Sequence, residues 1–334
     1  MSNYQKKAAV WNLFKRAYPT IFSFIVLGVF IALGYILNQS ANKDARSDLG
    51  ADLTTVIPSI VNQSPFDLLN LEAAAVYVYD PTSKRVIFEK RSEQQLPLAS
   101  ITKLMTAVVA SESAPLYTTV SITKDDLSAE GNSGLKVGER WSLRDLLSFT
   151  LVSSSNDGAK ALASVASRDG TFTQKAGKDQ NRSADFVLKM NQEAQNLKLT
   201  QTFFLNETGL DVSSTTSGAY GSARDVADLL SYVLVRYGEI IEDTTYERID
   251  IPSLDQTHHA INTNKALRAI PGIVASKTGF TDLSGGNLAV VFEIAPSHPI
   301  IAVVLGSTPT GRFTDMSLIA STALVYYRNQ MPIQ

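Results

Sequence analysis

Between Thr20 and Leu37 the chain carries no charged residue, and most of these eighteen positions are Ile, Val, Leu, Phe or Ala. As a helix rising ~1.5 Å per residue, the run reaches about 27 Å, near the thickness of a bilayer's hydrocarbon core. Lys6, Lys7, Lys15 and Arg16 precede it, whereas the segment after it mixes Lys43 and Arg46 with Asp44, Asp48 and Asp52. The positive-inside rule then puts the N-terminus in the cytoplasm and everything beyond Leu37 outside. The expected organisation is a cytoplasmic tail (1–17), a transmembrane helix anchored in the lipid bilayer (18–38), a polar stalk (39–66) and an extracytoplasmic domain (67–334). A cleaved signal peptide is the rival reading, with Ser40-Ala41 as the cut. Against it, the apolar run is longer than the roughly 7–15 residues of a signal-peptide core.

Composition narrows the chemistry of the domain. The chain has 334 residues and no cysteine, which excludes disulfides, zinc-thiolate sites and a Cys nucleophile. A net charge of -2 gives no reason to expect nucleic acid as a partner. His258, His259 and His298 are the only histidines, and two of them are adjacent in a polar stretch, so histidine-based catalysis has little material. No cofactor or metal is expected.

Two strand-like runs, Ala73–Tyr79 and Arg85–Glu89, open the domain around a turn at Asp80-Pro81. Ile101, Leu104, Met105, Val108 and Val109 then form one apolar helical stripe. Ser142 with Asp145, and Ser222 with Asp225, have capping-box spacing ahead of two further helices. Past residue 270 the pattern returns to strands, Gly272–Lys277, Asn287–Ala295 and Pro299–Gly306. The last two form a hairpin, and an amphipathic helix follows over Arg312–Tyr327. Strands, helices, strands and a helix predict an α/β domain with a mainly antiparallel sheet, flanking helices and a helical subdomain.

A serine nucleophile without histidine needs another base, and a lysine three residues on is one solution. S-x-x-K occurs at Ser40/Lys43, Ser100/Lys103, Ser121/Lys124 and Ser133/Lys136. Ser40 lies at the membrane edge, Ser121 in a β-branched run whose side chains alternate faces, and Ser133 in a Gly-rich loop. Ser100, just after Pro97, opens a helix, where i and i+3 are neighbours and the positive end of the dipole favours an alkoxide. Two other segments add suitable groups. In Ser154-Ser155-Asn156 a hydroxyl can pass a proton and an amide can hold a carbonyl. In Lys277-Thr278-Gly279, at the end of a strand run, a lysine and a hydroxyl can bind a carboxylate, and Gly279 leaves room for a peptide along the strand edge. Each alone also has a plain structural reading: a capping serine, a polar turn, a strand end. Together, in this order on helix, turn and strand, they form the set used by penicillin-recognising enzymes.

On these motifs the chain resembles the serine D-alanyl-D-alanine carboxypeptidases, the low-molecular-mass penicillin-binding proteins. The likeness extends through Pro97-Leu98-Ala99-Ser100, Leu151–Asp157, Asn206–Leu210, Ser222–Asp225, Asn262-Thr263-Asn264 and Ser276–Thr281. It implies an acyl-enzyme on Ser100, with Lys103 as general base and its pKa lowered by crowding against Lys277. It further implies Ser154 as proton relay, Asn156 holding the peptide, and Lys277 with Thr278 and Arg312 at the terminal carboxylate. Backbone N–H groups of Ser100 and Phe280 would form the oxyanion hole beside Gly279. The implied partners are peptidoglycan stem peptides, with β-lactams as inhibitors. Ser155 departs from the glycine common at that place in relatives. No Glu-x-x-Leu-Asn loop of the class A β-lactamases is present, which argues against fast release of penicillin. The expected activity is removal of the terminal D-alanine from stem pentapeptides; the alternatives are a D,D-endopeptidase or a non-hydrolytic β-lactam sensor.

Overall fold

The computed structural model describes residues 64–167 and 180–330, all within one compact unit spanning Asn62–Gln334. The expected tail and transmembrane anchor, and the stalk up to residue 63, lie outside the described residues. Among the described residues no helix is long and apolar enough to cross a membrane. The end of the expected stalk already belongs to the domain, because Phe66 is fully buried and stacks on Phe88.

The strands in chain order are β1 (Ala75–Asp80), β2 (Arg85–Lys90), β3 (Leu96–Pro97), β4 (Thr119–Ser121), β5 (Arg140–Ser142) and β6 (Phe203–Phe204). They continue as β7 (Ala219–Gly221), β8 (Arg248–Pro252), β9 (Thr257–Ile261), β10 (Ile273–Thr281), β11 (Gly285–Ala295) and β12 (His298–Ser307). The helices are α1 (Lys103–Ser113), α2 (Leu143–Ser153), α3 (Asn156–Ala163), α4 (Gln180–Asn196), α5 (Ala223–Ile241) and α6 (Gly311–Gln330).

The main sheet has the order β10-β11-β12-β1-β2 with every pairing antiparallel, as the sequence pattern predicts. Its central strands, β11, β12 and β1, are buried on both faces because each face is covered. Along β1, Val76 and Val78 join Leu288, Val290, Val304, Met316 and Ile319 under α6, while Ala75 and Tyr77 join the core shared with α5 and the helical lobe. That lobe buries Leu104, Met105, Val108, Trp141, Leu146, Leu147 and Phe186 among α1 to α4. The expected hairpin is β11–β12, turned at Pro296-Ser297, and the closing helix is α6.

Both anticipated caps form, though neither as a full box. Ser142 Oγ accepts from Asp145 N at 3.1 Å and Ser222 Oγ accepts from Asp225 N at 3.1 Å. Asp145 receives the Ser142 hydroxyl, and Asp225 instead takes Gln201 N and Thr202 Oγ1. The second carboxylate thus ties α5 to the chain ahead of β6.

Candidate active site

Ser100 lies in a 3-10 turn, Ala99–Thr102, that feeds α1, so the helix proper begins at Lys103 and not at the serine. Ala99 takes φ +49, a left-handed conformation uncommon for a residue other than glycine. The tight entry still brings the i+3 side chain over, and Lys103 Nζ is 2.8 Å from Ser100 Oγ. The other three-residue pairs do not share this geometry in the described chain. Ser121 ends β4, and Ser133 sits in a loop where its hydroxyl binds Asp157.

Lys103 is fully buried, and its Nζ also donates to Asn156 Oδ1 and to the Thr208 carbonyl, both at 2.7 Å. Burial lowers its pKa to about 7, opposed by the negative charge of Glu207. Crowding by Lys277 is therefore not the cause the sequence suggested. That repulsion falls on Lys277, whose pKa lies well below the ordinary lysine value through burial and then the charges of Lys103 and Arg312.

The second motif is a break between two helices made by its own serines. Ser154 caps the C-terminal end of α2 in a left-handed conformation at φ 58, and Ser155 caps the start of α3 by accepting from Gly158 N at 2.8 Å. The break turns Ser154 Oγ toward the sheet, where it receives a hydrogen bond from Lys277 Nζ at 2.8 Å. Asn156, in the first turn of α3, donates from Nδ2 to the Glu130 carbonyl at 2.8 Å.

Lys277-Thr278-Gly279 lies well inside β10 and does not end it, since the strand continues to Thr281. β10 is an edge strand, so its free side faces the helical lobe. Gly279 owes its small size to that approach. A Cβ there would lie 2.7 Å from the Leu98 carbonyl, two residues before Ser100. The space the sequence reserved for a peptide is thus, at this point, filled by the nucleophile's own segment. Thr278 Oγ1 and Thr263 Oγ1 share a hydrogen bond at 2.5 Å. Arg312, in the first turn of α6, donates from Nη1 to the Gly279 carbonyl at 2.5 Å, and its guanidinium carbon stands 5.9 Å from the centre of the half-exposed Phe280 ring.

All nine residues singled out from the sequence gather around the junction of β10, the α2–α3 turn and the start of α1. Reasoning from motifs missed the rest of the frame. Thr208 supplies a carbonyl to Lys103, and Glu207 supplies a charge. Asn287, fully buried on β11, donates to the carbonyls of Pro97 and Leu98 at 2.9 and 3.0 Å and accepts from Gly306 N at 2.8 Å. Asn206–Leu210, which holds Glu207 and Thr208, and Asn262-Thr263-Asn264, which holds the partner of Thr278, carried a family likeness without an assigned role. Nothing local marks Asn287. A cleft of about 410 Å³ opens beside the site, bounded by Glu130, Ser133, Ser154, Asn156 and Asp157 among others.

Comparison with known proteins shows the family. Residues 60–309 match the D-alanyl-D-alanine carboxypeptidase family. The chain is 28% identical over 263 residues to the D-alanyl-D-alanine carboxypeptidase DacF of Bacillus subtilis, covering 77% of this chain and 63% of that one, less than two thirds of its length. It is 31% identical over 257 residues to a D-alanyl-D-alanine endopeptidase of Pseudomonas aeruginosa, covering 74% of each. A penicillin-binding protein of Listeria monocytogenes in its ampicillin-bound form superposes with a TM-score of 0.63 at 27% identity, over 76% of this chain and 98% of that one. A family match that begins ahead of the first described strand and reaches past the last one makes the conclusion direct: the chain belongs to the D-alanyl-D-alanine carboxypeptidase family.

Proposed function

We propose that the protein is a serine D,D-carboxypeptidase that removes the terminal D-alanine of peptidoglycan stem pentapeptides, and that β-lactams acylate the same serine. One observation carries the mechanism. Of the three partners of Lys103 Nζ, the Asn156 Oδ1 and Thr208 carbonyl oxygens can only accept, while the Ser100 hydroxyl can also donate. A neutral lysine has two hydrogens and one lone pair. The two acceptors therefore take the hydrogens, and the lone pair is left for the Ser100 proton. Burial supplies the neutral form near pH 7.

Ser100 Oγ then attacks the carbonyl carbon between the two D-alanines as Lys103 takes its proton. When the C–N bond breaks, the Ser154 hydroxyl, oriented by Lys277 Nζ, gives its proton to the leaving amine and takes in its place the proton held by Lys103, which leaves the base neutral again. An ester on Ser100 remains, and water hydrolyses it to release the shortened peptide and restore the serine. Lys277, Thr278 and Arg312 bring positive charge and a hydroxyl to the Gly279 end of β10, where a free terminal carboxylate fits. Asn156 takes the carbonyl of the preceding residue, and the N–H groups of Ser100 and Phe280 receive the oxyanion.

The protein is further proposed to work outside the cytoplasm on a single N-terminal anchor over residues 18–38. Support comes from the length of the charge-free run and the basic residues on one side of it.

The test is covalent labelling. A labelled penicillin is expected to form one long-lived adduct per molecule, mapped by mass to Ser100 and abolished by Ser100→Ala. An adduct at Ser121 or Ser133 would refute the assignment, and release within seconds would indicate a β-lactamase. Pentapeptide and cross-linked dimer offered side by side separate carboxypeptidase from endopeptidase, which would use the same residues. Turnover of neither would favour a sensor.

A further inference from the structure

We infer that Ser133, which lies outside the three motifs, is a positioning residue that fixes the Asn156 amide by clamping the 130–134 loop onto the start of α3. Its Oγ donates to Asp157 Oδ2 at 2.8 Å and receives the Ser155 hydroxyl at 2.8 Å, while its backbone N lies 3.4 Å from the same Asp157 oxygen. Asp157 and Ser155 are each 4% exposed, so the loop is fastened to a buried base. The chain between fastening and site is short. Three residues before Ser133, the Glu130 carbonyl accepts from Asn156 Nδ2 at 2.8 Å.

The consequence reaches Ser100 through a series of single contacts. The Asn156 amide is held on one side by Glu130 O and on the other by Lys103 Nζ. One Nδ2 hydrogen stays free for a substrate carbonyl. If the loop lifts, Glu130 O withdraws and the amide gains freedom to rotate. Lys103 then loses an acceptor for one of its two hydrogens, and its lone pair is no longer held toward Ser100. Glu130, Ser133, Asn156 and Asp157 also wall the cleft beside Ser154, so the clamp sets the width available to the peptide. Gly131 and Gly134 adopt φ +95 and +81, so the loop's turns require glycine and the serine between them supplies the fastening. Ser155 completes the clamp with a hydroxyl that a glycine at that place would lack.

This inference rests on the reading of Asn156 as a substrate-binding amide. The proposed function is judged by labelling of the wild-type protein, whereas the clamp is judged only by ratios to wild type, so the two can fail separately. The experiment compares full-length Ser133→Ala and Ser133→Thr with wild type. It measures the second-order acylation constant with a labelled penicillin, kcat and KM for a pentapeptide, and the thermal midpoint. Active-site titration with excess penicillin normalises every rate to folded enzyme, so a poorly folding variant still reports. Ser133→Ala is expected to acylate roughly tenfold more slowly, the scale of a small misplacement of reacting groups, with kcat falling and KM rising together. Ser133→Thr, which keeps the hydroxyl, is expected to recover most of the loss. An Ala variant that acylates within twofold of wild type, whatever its midpoint, would overturn the inference. So would a Thr variant as slow as Ala.

Discussion

Lys277 Nζ donates to Ser154 Oγ at 2.8 Å, and this contact joins the edge strand β10 to the turn between α2 and α3. Lys277 is only 1% exposed, and burial and the charges of Lys103 and Arg312 disfavour its protonated form. An incoming carboxylate relieves that strain by supplying the opposite charge, so the resting site is poised for an anionic ligand.

Lys277→Ala is accordingly expected to depend on the ligand. Acylation by peptides and penicillins with a free carboxylate is expected to fall roughly 100-fold, the scale of truncating one side of a buried charged contact. A C-terminally amidated peptide, already deprived of that contact, is expected to lose little more. Equal losses for both ligands, measured as kcat/KM, would mean that Lys277 acts only through Ser154.

The pKa of Lys103, near 7, gives the pH dependence of acylation its sign. The base must be neutral, so the rate is expected to rise about tenfold per pH unit below that value and level off above it. Glu207 raises the Lys103 pKa, so Glu207→Gln is expected to move the rising limb to lower pH. The same shift links to stability. The unfolded chain keeps this proton up to the ordinary lysine value of ~10.4, whereas the folded chain releases it near 7, so this group makes stability increase with pH across that interval. Stopped-flow acylation and chemical denaturation across pH check the two statements separately. A limb unmoved by Glu207→Gln would contradict the first.

Asn287→Leu tests the buried support beneath the nucleophile. The change leaves the Pro97 and Leu98 carbonyls and Gly306 N without their present partner, a loss of about 2–4 kcal/mol for several buried polar groups. Urea denaturation is expected to register this loss. Acylation is expected to slow as well, because the two released carbonyls immediately precede Ala99-Ser100. Full acylation rates in a destabilised variant would assign Asn287 to the fold alone.

Deleting residues 1–38 is expected to give a soluble domain that still binds penicillin, since every site residue lies beyond them in a unit with its own core. Retention in the membrane fraction after deletion would show a second attachment.

Much of the fold was legible because it depends on local pattern. Alternation in Ala75–Tyr77 sorts side chains onto two covered faces, and the apolar stripe from Ile101 to Val109 packs into the helical lobe. Ser142 and Ser222 cap because a hydroxyl ahead of free backbone N–H groups has a partner within its own turn. The three motifs were legible as residue types. The 3-10 turn at Ser100 and the continuation of β10 past Lys277 were not. Those boundaries depend on Leu98 meeting Gly279 and on β11 pairing through to Thr281.

The sequence alone determined which serine has a lysine three residues on at a helix entrance, because that follows from short-range spacing and periodicity, whereas the strand that faces it was implied only by the family resemblance. The tertiary structure alone decided the protonation state of that lysine and the work of the supporting residues. Lys103 is enclosed by groups far apart in the chain, among them its hydrogen-bond partners, the Thr208 carbonyl 105 residues away and Asn156 53 residues away. Asn287 reaches back 190 residues to Pro97, and Ser133 acts on Asn156 through Glu130 and Asp157. No pattern along the chain encodes such contacts, because they exist only once the sheet edge and the helical lobe have closed on one another.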